Sequence, residues 1–330
     1  MSRPVRFIAS FHAVPTFADW KTLALDAERL GFYGVNRDDH FWPPVLAQPE
    51  EPWPECFTLL SALAAITTKL HITQTVVCNA YRHPGLVAKM IATMDWISNG
   101  RMELGIGAGW YKPEFDAYGY DYPKPSVRIA QLQEAVKVIK SLWTEKRANF
   151  EGKFYRIQDA ICFPKPIQKP HPPIIIGGGG EKLLRVAAEE ADIANISMIF
   201  SAGDITPAGL REHTEESFLR KRDTLRRHCD AIGRDWREIK IAGQLITLVS
   251  KDEGLVKAMS EMSAARVGVD PETTRSFPNV AVGTPGELVD LLEKRIEKLG
   301  IDAFVCTFTV PEMMETFATE VMPHLNPVRP

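Results

Sequence analysis

The sequence has little that would bind a nucleic acid or a membrane. Its 39 lysine and arginine residues stand against 42 aspartate and glutamate residues, which gives a formal net charge of −3, and there is no long basic run. Such a balance provides no general attraction to nucleic acid or to an anionic lipid surface. No apolar run approaches the roughly 20 residues that span a bilayer, and the N-terminus lacks the apolar core of a signal peptide. We therefore expect a cytoplasmic protein with neither nucleic-acid nor membrane partners.

Cysteine is also scarce. The five cysteines form no CxxC pair and no Cys/His spacing typical of a zinc site: Cys56, Cys78, Cys162, Cys229 and Cys306. We expect no metal centre, and reduced, mostly buried thiols. Cys78 falls near the site predicted below, but packing is the preferred interpretation because unpaired cysteines are commonly buried.

What the sequence does have is a repeated alternation of apolar strand-like segments with amphipathic helices. With 330 residues, 45% of them hydrophobic, the chain can bury a large core. A doubly wound sheet normally stops at about six strands, so eight strand segments favour a single (β/α)8 TIM barrel, with residues 1–330 as one domain. The predicted strands are 5–10, 32–35, 70–77, 102–106, 173–176, 193–197, 239–249 and 301–310.

Four irregular ranges, 36–55, 110–125, 150–172 and 198–213, are then insertions at the rim formed by the C-terminal ends of the strands. The range 110–125 is expected to be a loop, and 150–172 a hairpin-like excursion. The range 198–213 shows no helical periodicity, and we interpret it as a mobile cover over the site or as a loop without function.

The exit from the fourth strand is the most informative stretch, with the sequence SNGRMELGIGAGWYKPE at 98–114. Gly105, Gly107 and Gly109 alternate at a spacing of two, so one face of the strand lacks side chains. Another backbone or a flat ligand could approach that face. A glycine bulge at a crowded barrel rim explains the pattern equally well.

A second glycine cluster, Gly177, Gly178, Gly179 and Gly180, lies between a predicted strand and a predicted helix. The free N–H groups and the dipole of a helix N-terminus favour anions. The cluster therefore predicts a phosphate cradle, with a flexible loop as the alternative.

His40 is the candidate proton donor or acceptor. In a barrel the strand ends converge on one face, which brings Asp39 and His40 towards Asn79 and both glycine clusters. Histidine titrates near neutral pH, and Asp39 is the candidate group that orients it. A histidine packed beside aromatic residues is the alternative interpretation.

Trp42, Trp110 and Glu114 are the candidate residues of the substrate pocket. Aromatic side chains commonly line apolar pockets, although they also form lids. Glu114 is either a second carboxylate of the site or an acidic residue at the start of a helix.

Five blocks, in their order and spacing, resemble the bacterial luciferase-like flavin-dependent oxidoreductases over nearly the whole chain. They are DDH after the second strand, VVCNAYRHP after the third, SNGRMELGIGAGW, FEGKFY with PKPIQKPHPPIIIGGGGEK behind it, and EEADIANIS. The GGGGEK…AxxxAD…N arrangement is most similar to the branch that uses the deazaflavin coenzyme F420 instead of FMN. The resemblance implies a TIM barrel, as the strand count does, with the coenzyme ring at the C-terminal ends of the strands.

The resemblance also implies residue roles. The segment Gly107-Ala108-Gly109 would let the barrel wall approach the ring, and residues 177–180 would hold the coenzyme phosphate. A non-prolyl cis peptide bond at Val76–Val77 would support the ring from behind. Asn79 would hydrogen-bond the ring or its side chain, or else simply cap the strand end. His40 matches the acid–base histidine of the family.

Trp110 departs from this pattern, because some F420-dependent members carry a catalytic glutamate there. Three functions stay open: hydride transfer between F420 and a small organic substrate, an FMN-dependent two-component monooxygenase that uses reduced flavin and O2, and a flavin-binding relative without turnover. A flavin or F420 reductase that supplies the reduced cofactor is an expected partner. The resemblance further implies a homodimer formed through helices of the N-terminal half.

Overall fold

The computed structural model describes residues 4–12, 14–44, 50–199, 203 and 206–330. Apolar, β-prone segments form the strands of this part, which are β1 (Arg6–Phe11), β2 (Gly34–Asn36), β3 (His71–Thr73), β4 (Val77–Cys78), β5 (Leu104–Gly107), β6 (Ala148–Glu151), β7 (Arg156–Ala160), β8 (Ile174–Gly177), β9 (Ile193–Asn195), β10 (Lys240–Val249), β11 (Val280–Gly283) and β12 (Ala303–Phe308).

Segments with helical periodicity form the helices, which are α1 (Phe17–Leu30), α2 (Cys56–Ile66), α3 (Pro84–Ser98), α4 (Lys112–Tyr118), α5 (Pro125–Thr144), α6 (Glu181–Glu190), α7 (Pro207–Arg211), α8 (Glu215–Ala231), α9 (Glu253–Val267), α10 (Pro271–Arg275), α11 (Pro285–Leu299) and α12 (Pro311–Glu320). Within the described ranges, none of them combines the length and the apolar character needed to cross a bilayer.

Eight parallel strands close into the predicted (β/α)8 barrel. β1 pairs with β2 on one side and with β12 on the other, and the pairing continues through β10, β9, β8 and β5. β3 and β4 are two halves of one barrel strand, since β3 pairs with β2 and β4 with β5. A bridge between Ile72 and Met102 joins the remaining edges, and the Ile72 N–H donates to the Arg101 carbonyl at 2.9 Å. The TIM-barrel prediction is confirmed.

The rim insertions differ in part from the prediction. β6 and β7 pair antiparallel, as a hairpin over 150–172 requires. The range 110–125 is not a plain loop, because it contains α4, and the described part of 198–213 contains α7. Residues 200–202, 204 and 205 of the suggested cover lie outside the described residues. β11, which was not predicted, pairs in parallel with the second half of β10.

The ends of the helices follow from capping chemistry. Thr16 before α1 forms a capping box with Asp19, and Thr284 before α11 forms one with Glu287. Gly31 ends α1 with a φ of 81°, in the left-handed region that glycine adopts without steric cost. These local signals explain where α1 and α11 begin and where α1 ends.

Polar side chains tie the upper barrel interior together, just below the strand ends. Asn36 Nδ2 donates to Ser10 Oγ at 3.2 Å, and Thr75 Oγ1 donates to Asn36 Oδ1 at 2.9 Å. Gln244 Nε2 reaches across to the Thr75 carbonyl at 3.2 Å. Because buried polar groups need such partners, this layer fixes the strand ends that carry the site.

Between β3 and β4 the peptide bond Thr75–Val76 is cis. The predicted position, Val76–Val77, is therefore wrong by one residue. Val77 already pairs with Ile106 of β5, so the break in the strand falls before it. Val77 is buried at 1% exposure, whereas Val76 is half-buried.

Candidate active site

His40 lies at the mouth of the barrel and is paired with a buried carboxylate. It follows β2, and its Nδ1 lies 2.9 Å from Glu114 Oε2. The Glu114 side chain is 0% exposed and that of His40 is 15% exposed. The ring nitrogen and the buried carboxylate oxygen are therefore within hydrogen-bond distance of each other at the barrel mouth.

Glu114 comes from the first turn of α4 and faces into the protein. Its Oε1 accepts the Phe41 N–H at 2.6 Å, and its Oε2 also accepts the Tyr81 hydroxyl at 2.9 Å. The assignment of Glu114 to the substrate pocket is therefore corrected, because both carboxylate oxygens are occupied by protein groups. Both interpretations of Glu114 agree with the structure, because it lies in the first turn of α4 and its carboxylate contacts His40.

The surroundings of His40 favour its protonated form. Burial lowers the pKa of His40, but the hydrogen bond to Glu114 and the charges of Asp38, Glu114 and Asp39 together raise this pKa above its ordinary value. The imidazolium is consequently stabilised at the barrel mouth.

Asp39 does not orient His40. Its carboxylate accepts Arg82 Nη1 and Nη2 at 2.7 and 2.9 Å, and the Cys78 N–H at 3.0 Å. Arg82 Nη2 also donates to Glu55 Oε1 at 2.7 Å. A bidentate guanidinium is the stronger partner for a carboxylate, so Asp39 ties the end of β2 to the end of β4 and acts on His40 through its charge.

The glycines of β5 and β8 make room for Val76. A Cβ on Gly105 would lie 1.7 Å from the Gln74 carbonyl oxygen, and a Cβ on Gly107 or on Gly177 would lie 2.7 Å from a Val76 methyl group. The space that was expected to admit a coenzyme ring beside Gly107 is therefore filled by the Val76 side chain. Val76 is seated on this glycine floor at the mouth of the barrel.

Gly109 turns the chain from β5 towards α4. Its φ is 78°, and a Cβ there would lie 2.6 Å from Cys78 Sγ and 2.8 Å from Phe115 Cζ. Ala108 beside it is half-buried. Burial raises the pKa of the Cys78 thiol, which agrees with the packing role preferred for this cysteine.

Asn79 presents an acceptor that the described residues leave unused. Its Nδ2 donates to the Tyr155 hydroxyl, in the turn between β6 and β7, at 3.1 Å. Its Oδ1 is buried and has no hydrogen-bond partner among the residues described. Because buried acceptors are normally satisfied, this atom fits an N–H or O–H of a bound molecule.

The phosphate cradle stays a prediction for the glycine loop. A Cβ on Gly177 would meet Val76, one on Gly178 would lie 1.9 Å from Leu183 Cδ2, and one on Gly179 would lie 2.2 Å from the Ser197 carbonyl oxygen. The Gly178 N–H already donates to the Asn195 carbonyl at 3.0 Å. Gly180 is the N-cap of α6, and no side chain caps this helix. The first N–H groups of α6 are therefore not engaged by a capping side chain.

A cavity of about 470 Å³ opens beside Gly179, between α6 and α8. Its lining includes hydroxyl and basic groups, among them Thr214, Ser217, Arg220 and Lys221. Lys221 Nζ donates to the Ser197 carbonyl at 2.9 Å. Burial, followed by the charge of Arg220, lowers the pKa of Lys221 to about 8, so this side chain is largely protonated at neutral pH.

Aromatic rings line the mouth next to His40. The rings of Trp110 and Tyr111 lie edge-on to His40, with centroids 5.4 and 5.8 Å away. Trp42 stacks on Tyr118 at 5.8 Å and meets Tyr111 at 6.2 Å. The two tryptophans predicted to form the pocket thus lie in one aromatic wall.

Sequence reasoning missed the roles of Tyr81 and Lys221, and it gave a helix start at Glu114 only as an alternative to the loop expected over 110–125. Signals for α4 were present, with Pro113 in its first turn and Gly119 as its left-handed C-cap. Lys221 lies in a charged helix, and it reaches the glycine loop because α8 packs on α6. Sequence periodicity carries no signal for that contact.

Comparisons with known proteins match this chain to one family and to several named relatives. The profile of the luciferase-like monooxygenase family matches residues 4–295. The chain is 33% identical over 172 residues to an FMNH(2)-dependent dimethylsulfone monooxygenase of Pseudomonas putida, which covers 52% of this chain and 46% of that protein. It is also 33% identical over 170 residues to an F420-dependent glucose-6-phosphate dehydrogenase of Amycolatopsis mediterranei, which covers 51% of this chain and 50% of that protein.

The match thus spans about half the length of these two relatives. Among solved structures, the coenzyme F420 dependent tetrahydromethanopterin reductase of Methanopyrus kandleri superimposes with a TM-score of 0.77 at 21% identity, covering 98% of this chain and 100% of that one. This similarity confirms the barrel fold. The relatives include both F420-dependent and FMN-dependent proteins.

Proposed function

This chain belongs to the luciferase-like monooxygenase family, and on this basis we propose that it is an oxidoreductase that transfers a hydride between coenzyme F420 and a small organic substrate. The observation that carries the proposal is His40 at the barrel mouth, 2.9 Å from a fully buried carboxylate. The F420-dependent dehydrogenase among the relatives supports the choice of coenzyme.

The residues present fit a coenzyme with a ring at one end and a phosphate along its side chain. At the ring end, Asn79 Oδ1 lacks a partner among the described residues, and Val76 presents an apolar surface seated on glycines. At the phosphate end, the N-terminus of α6 and Lys221 complement an anion. In this proposal Val76 and Asn79 contact the ring, and Gly179, Gly180 and Lys221 hold the phosphate. Val77, which is 1% exposed, packs in the core instead.

Coenzyme F420, when bound, supplies or accepts the hydride. The residues of the chain handle the proton that accompanies it. His40 holds that proton, because its raised pKa keeps the imidazolium populated close to neutral pH. Trp42, Trp110 and Tyr111 shield His40 from water, which strengthens electrostatic interactions inside the pocket.

Trp110 favours a second candidate function, an FMN-dependent two-component monooxygenase. Some of the F420-dependent members that the chain resembles carry a catalytic glutamate at this position, and a tryptophan brings no carboxylate. The FMNH(2)-dependent relative is as similar to this chain as the F420-dependent one. In this case the partner is a reductase that supplies reduced FMN, and O2 is a co-substrate.

Coenzyme binding and oxygen uptake separate these functions. The purified protein is titrated calorimetrically with F420 and with FMN, and oxygen consumption is followed with each reduced coenzyme and a panel of small organic substrates. Binding of F420 with substrate turnover and no oxygen uptake supports the first function. Oxygen uptake that requires reduced FMN and a substrate overturns it in favour of the second. Coenzyme binding without turnover on any substrate favours a non-catalytic relative.

The phosphate site has its own variant. Lys221→Gln is expected to weaken F420 binding roughly 10-fold, because a charge-assisted hydrogen bond to a phosphate contributes about 1.5 kcal/mol or more. In the unchanged protein the affinity should fall as the pH rises through about 8, where Lys221 loses its proton. Arg227→Gln, on the exposed side of α8, is the control. Equal affinities of the two variants, measured by calorimetry, would remove Lys221 from the site.

A further inference from the structure

Glu114 is a fully buried carboxylate, and the groups in contact with it differ in the charge that they can carry. Two of the three groups in contact with it are neutral donors, the Phe41 N–H and the Tyr81 hydroxyl. The third is His40, which can carry a positive charge. Burying a carboxylate without such compensation is costly. The His40–Glu114 contact therefore stabilises a charge on each side.

The other ionisable groups around His40 have partners of their own. Asp39 is held by Arg82, and Asp38 lies 3.7 Å from Arg37 Nε and 4.0 Å from His12 Nε2. Within the described ranges, the titratable and charged groups at the His40 ring or at its acidic neighbours include Glu114, Tyr81, Tyr111, Asp38, Asp39, His12, Arg37 and Arg82. Of these, Glu114 is the carboxylate in hydrogen-bond contact with the ring.

We propose that Glu114 is a positioning residue that fixes the His40 ring with Nδ1–H directed at helix α4 and with Nε2 reserved for proton exchange. A carboxylate only accepts hydrogen bonds, so the hydrogen of this contact resides on Nδ1. The two ring nitrogens lie on opposite sides of the imidazole, and Nε2 is the one that faces away from Glu114. The catalytic meaning of this arrangement rests on the proposed function.

The geometry has a chemical consequence for the direction of proton flow. When a substrate is reduced, the imidazolium gives its Nε2 proton to the substrate. Its Nδ1–H stays on the ring and keeps its hydrogen bond to Glu114. When a substrate is oxidised, the neutral ring accepts the proton at the same atom. Glu114 stabilises the imidazolium in both directions, and the fixed ring needs no rotation between the two steps.

The test is a histidine titration by nuclear magnetic resonance on the full chain without coenzyme or substrate. The protein has eight histidines, and His40 is assigned by its loss in His40→Gln. We expect a neutral ring protonated at Nδ1 and bare at Nε2, read from the ring nitrogen shifts, and a titration midpoint above the ordinary value of about 6.5. A neutral ring that is bare at Nδ1 overturns the proposal without any Glu114 variant.

Two variants separate positioning from simple packing. Glu114→Gln should move the His40 midpoint to lower pH, because the carboxylate charge is lost while the side-chain shape is kept. Tyr81→Phe is the matched control: it removes a neutral donor from the same oxygen, and it should leave the midpoint unchanged or higher. A folded Glu114→Gln protein with the midpoint and tautomer of the unchanged chain refutes the positioning role.

With a substrate in hand, the limb of the kcat–pH profile governed by His40 should move to lower pH in Glu114→Gln. The loss of kcat should be smaller than in His40→Gln, since the ring itself remains. Because the titration uses no coenzyme, the two proposals fail separately. A chain that shows the predicted titration but neither binds F420 nor turns over a substrate keeps the positioning role and loses the proposed function.

Discussion

At the scale of single residues, two carboxylates at the mouth of the barrel each pair with a different basic side chain. Asp39 is adjacent to His40 in sequence, yet its oxygens are taken by Arg82. Glu114 is 74 residues away from His40 and makes the contact with its ring. Each choice satisfies a buried charge, since Asp39 gains a bidentate guanidinium and Glu114 gains three hydrogen-bond partners.

Loss of the His40 ring should remove the proton step and leave the coenzyme site in place. We expect His40→Gln to lower kcat by roughly 10²- to 10⁴-fold, the range typical of a general acid or base. The dissociation constant for the coenzyme, measured by calorimetry, should change far less. His324→Gln, at an exposed position, is the control. A His40→Gln enzyme with normal kcat would assign the proton to another group.

His213 should make the protein sensitive to mild acid. It is 4% exposed, its Nδ1 has no partner among the described residues, and burial together with the charge of Lys221 lowers its pKa to about 3. The unfolded chain binds a proton near pH 6.5 and the folded chain does not, so the free energy of unfolding falls as the pH drops from about 6.5 towards 3, by up to about 1.4 kcal/mol per pH unit.

Urea unfolding at pH 7 and pH 5 checks this expectation. The difference in unfolding free energy between the two pH values should be smaller in a His213→Gln variant than in the unchanged chain. The half-buried His71, whose pKa is lowered to about 4 by burial and by Arg6, contributes in the same direction in both proteins. An unchanged pH difference in the variant would contradict the assignment to His213.

Among the elements, β5 and α4 supply two parts of the site, which the ends of β2, β4 and β8 and the helix α8 complete. β5 supplies the glycines on which Val76 sits, and α4 supplies Glu114. The spacing of the glycines could be recognised in the sequence. The reason for it could not, because the atoms that pack against these glycines belong to residues 74–76 on the neighbouring strand. The helix α4 has 7 residues, too few to show an amphipathic period.

Adding a methyl group at Gly105 of β5 should lower the free energy of unfolding. In Gly105→Ala the Cβ would lie 1.7 Å from the Gln74 carbonyl oxygen, so the backbone must shift, and we expect a loss of about 1–3 kcal/mol in unfolding free energy. Gly286→Ala, in α11, is the matched control: its Cβ meets no atom within 4 Å, and alanine raises helix propensity by up to about 1 kcal/mol. Equal urea midpoints for the two variants would contradict this packing account.

For the molecule as a whole, the barrel leaves one group of large apolar side chains exposed near α3. They come from α3 and from 161–167, and are Leu86, Trp96, Ile97, Ile161, Phe163 and Ile167. Lys89 of α3 donates a hydrogen bond to the Phe163 carbonyl, which holds the two segments together. These six side chains lie on two segments joined by that hydrogen bond, and grouped apolar surface marks a protein interface more often than single exposed side chains do.

We expect this surface to form the homodimer anticipated from the family resemblance. Sedimentation equilibrium should give twice the chain mass for the unchanged protein and the single chain mass for Trp96→Glu, because a buried unpaired charge opposes association. Ile232→Glu, at a residue 52% exposed and outside this surface, is the control. A monomeric unchanged protein, or a dimeric Trp96→Glu protein, would contradict the expectation.

The local pattern of residues was sufficient to predict the barrel and the places of its eight strands along the chain. Strand and helix periods, capping residues such as Thr284 and the glycine loop before α6 act over a few neighbouring residues, so their effect can be derived from sequence. The family resemblance then marked His40 and Asn79 as site residues.

The contacts that set the chemistry were decided by the tertiary structure. The pairing of His40 with Glu114, the seating of Val76 on glycines of two other strands, and the approach of Lys221 to Gly179 join residues far apart in the chain. Such contacts depend on which side chains best satisfy buried charge and fill space once the barrel has closed. Asp39 shows the difference, because adjacency in sequence suggested one partner and the folded chain gave it another.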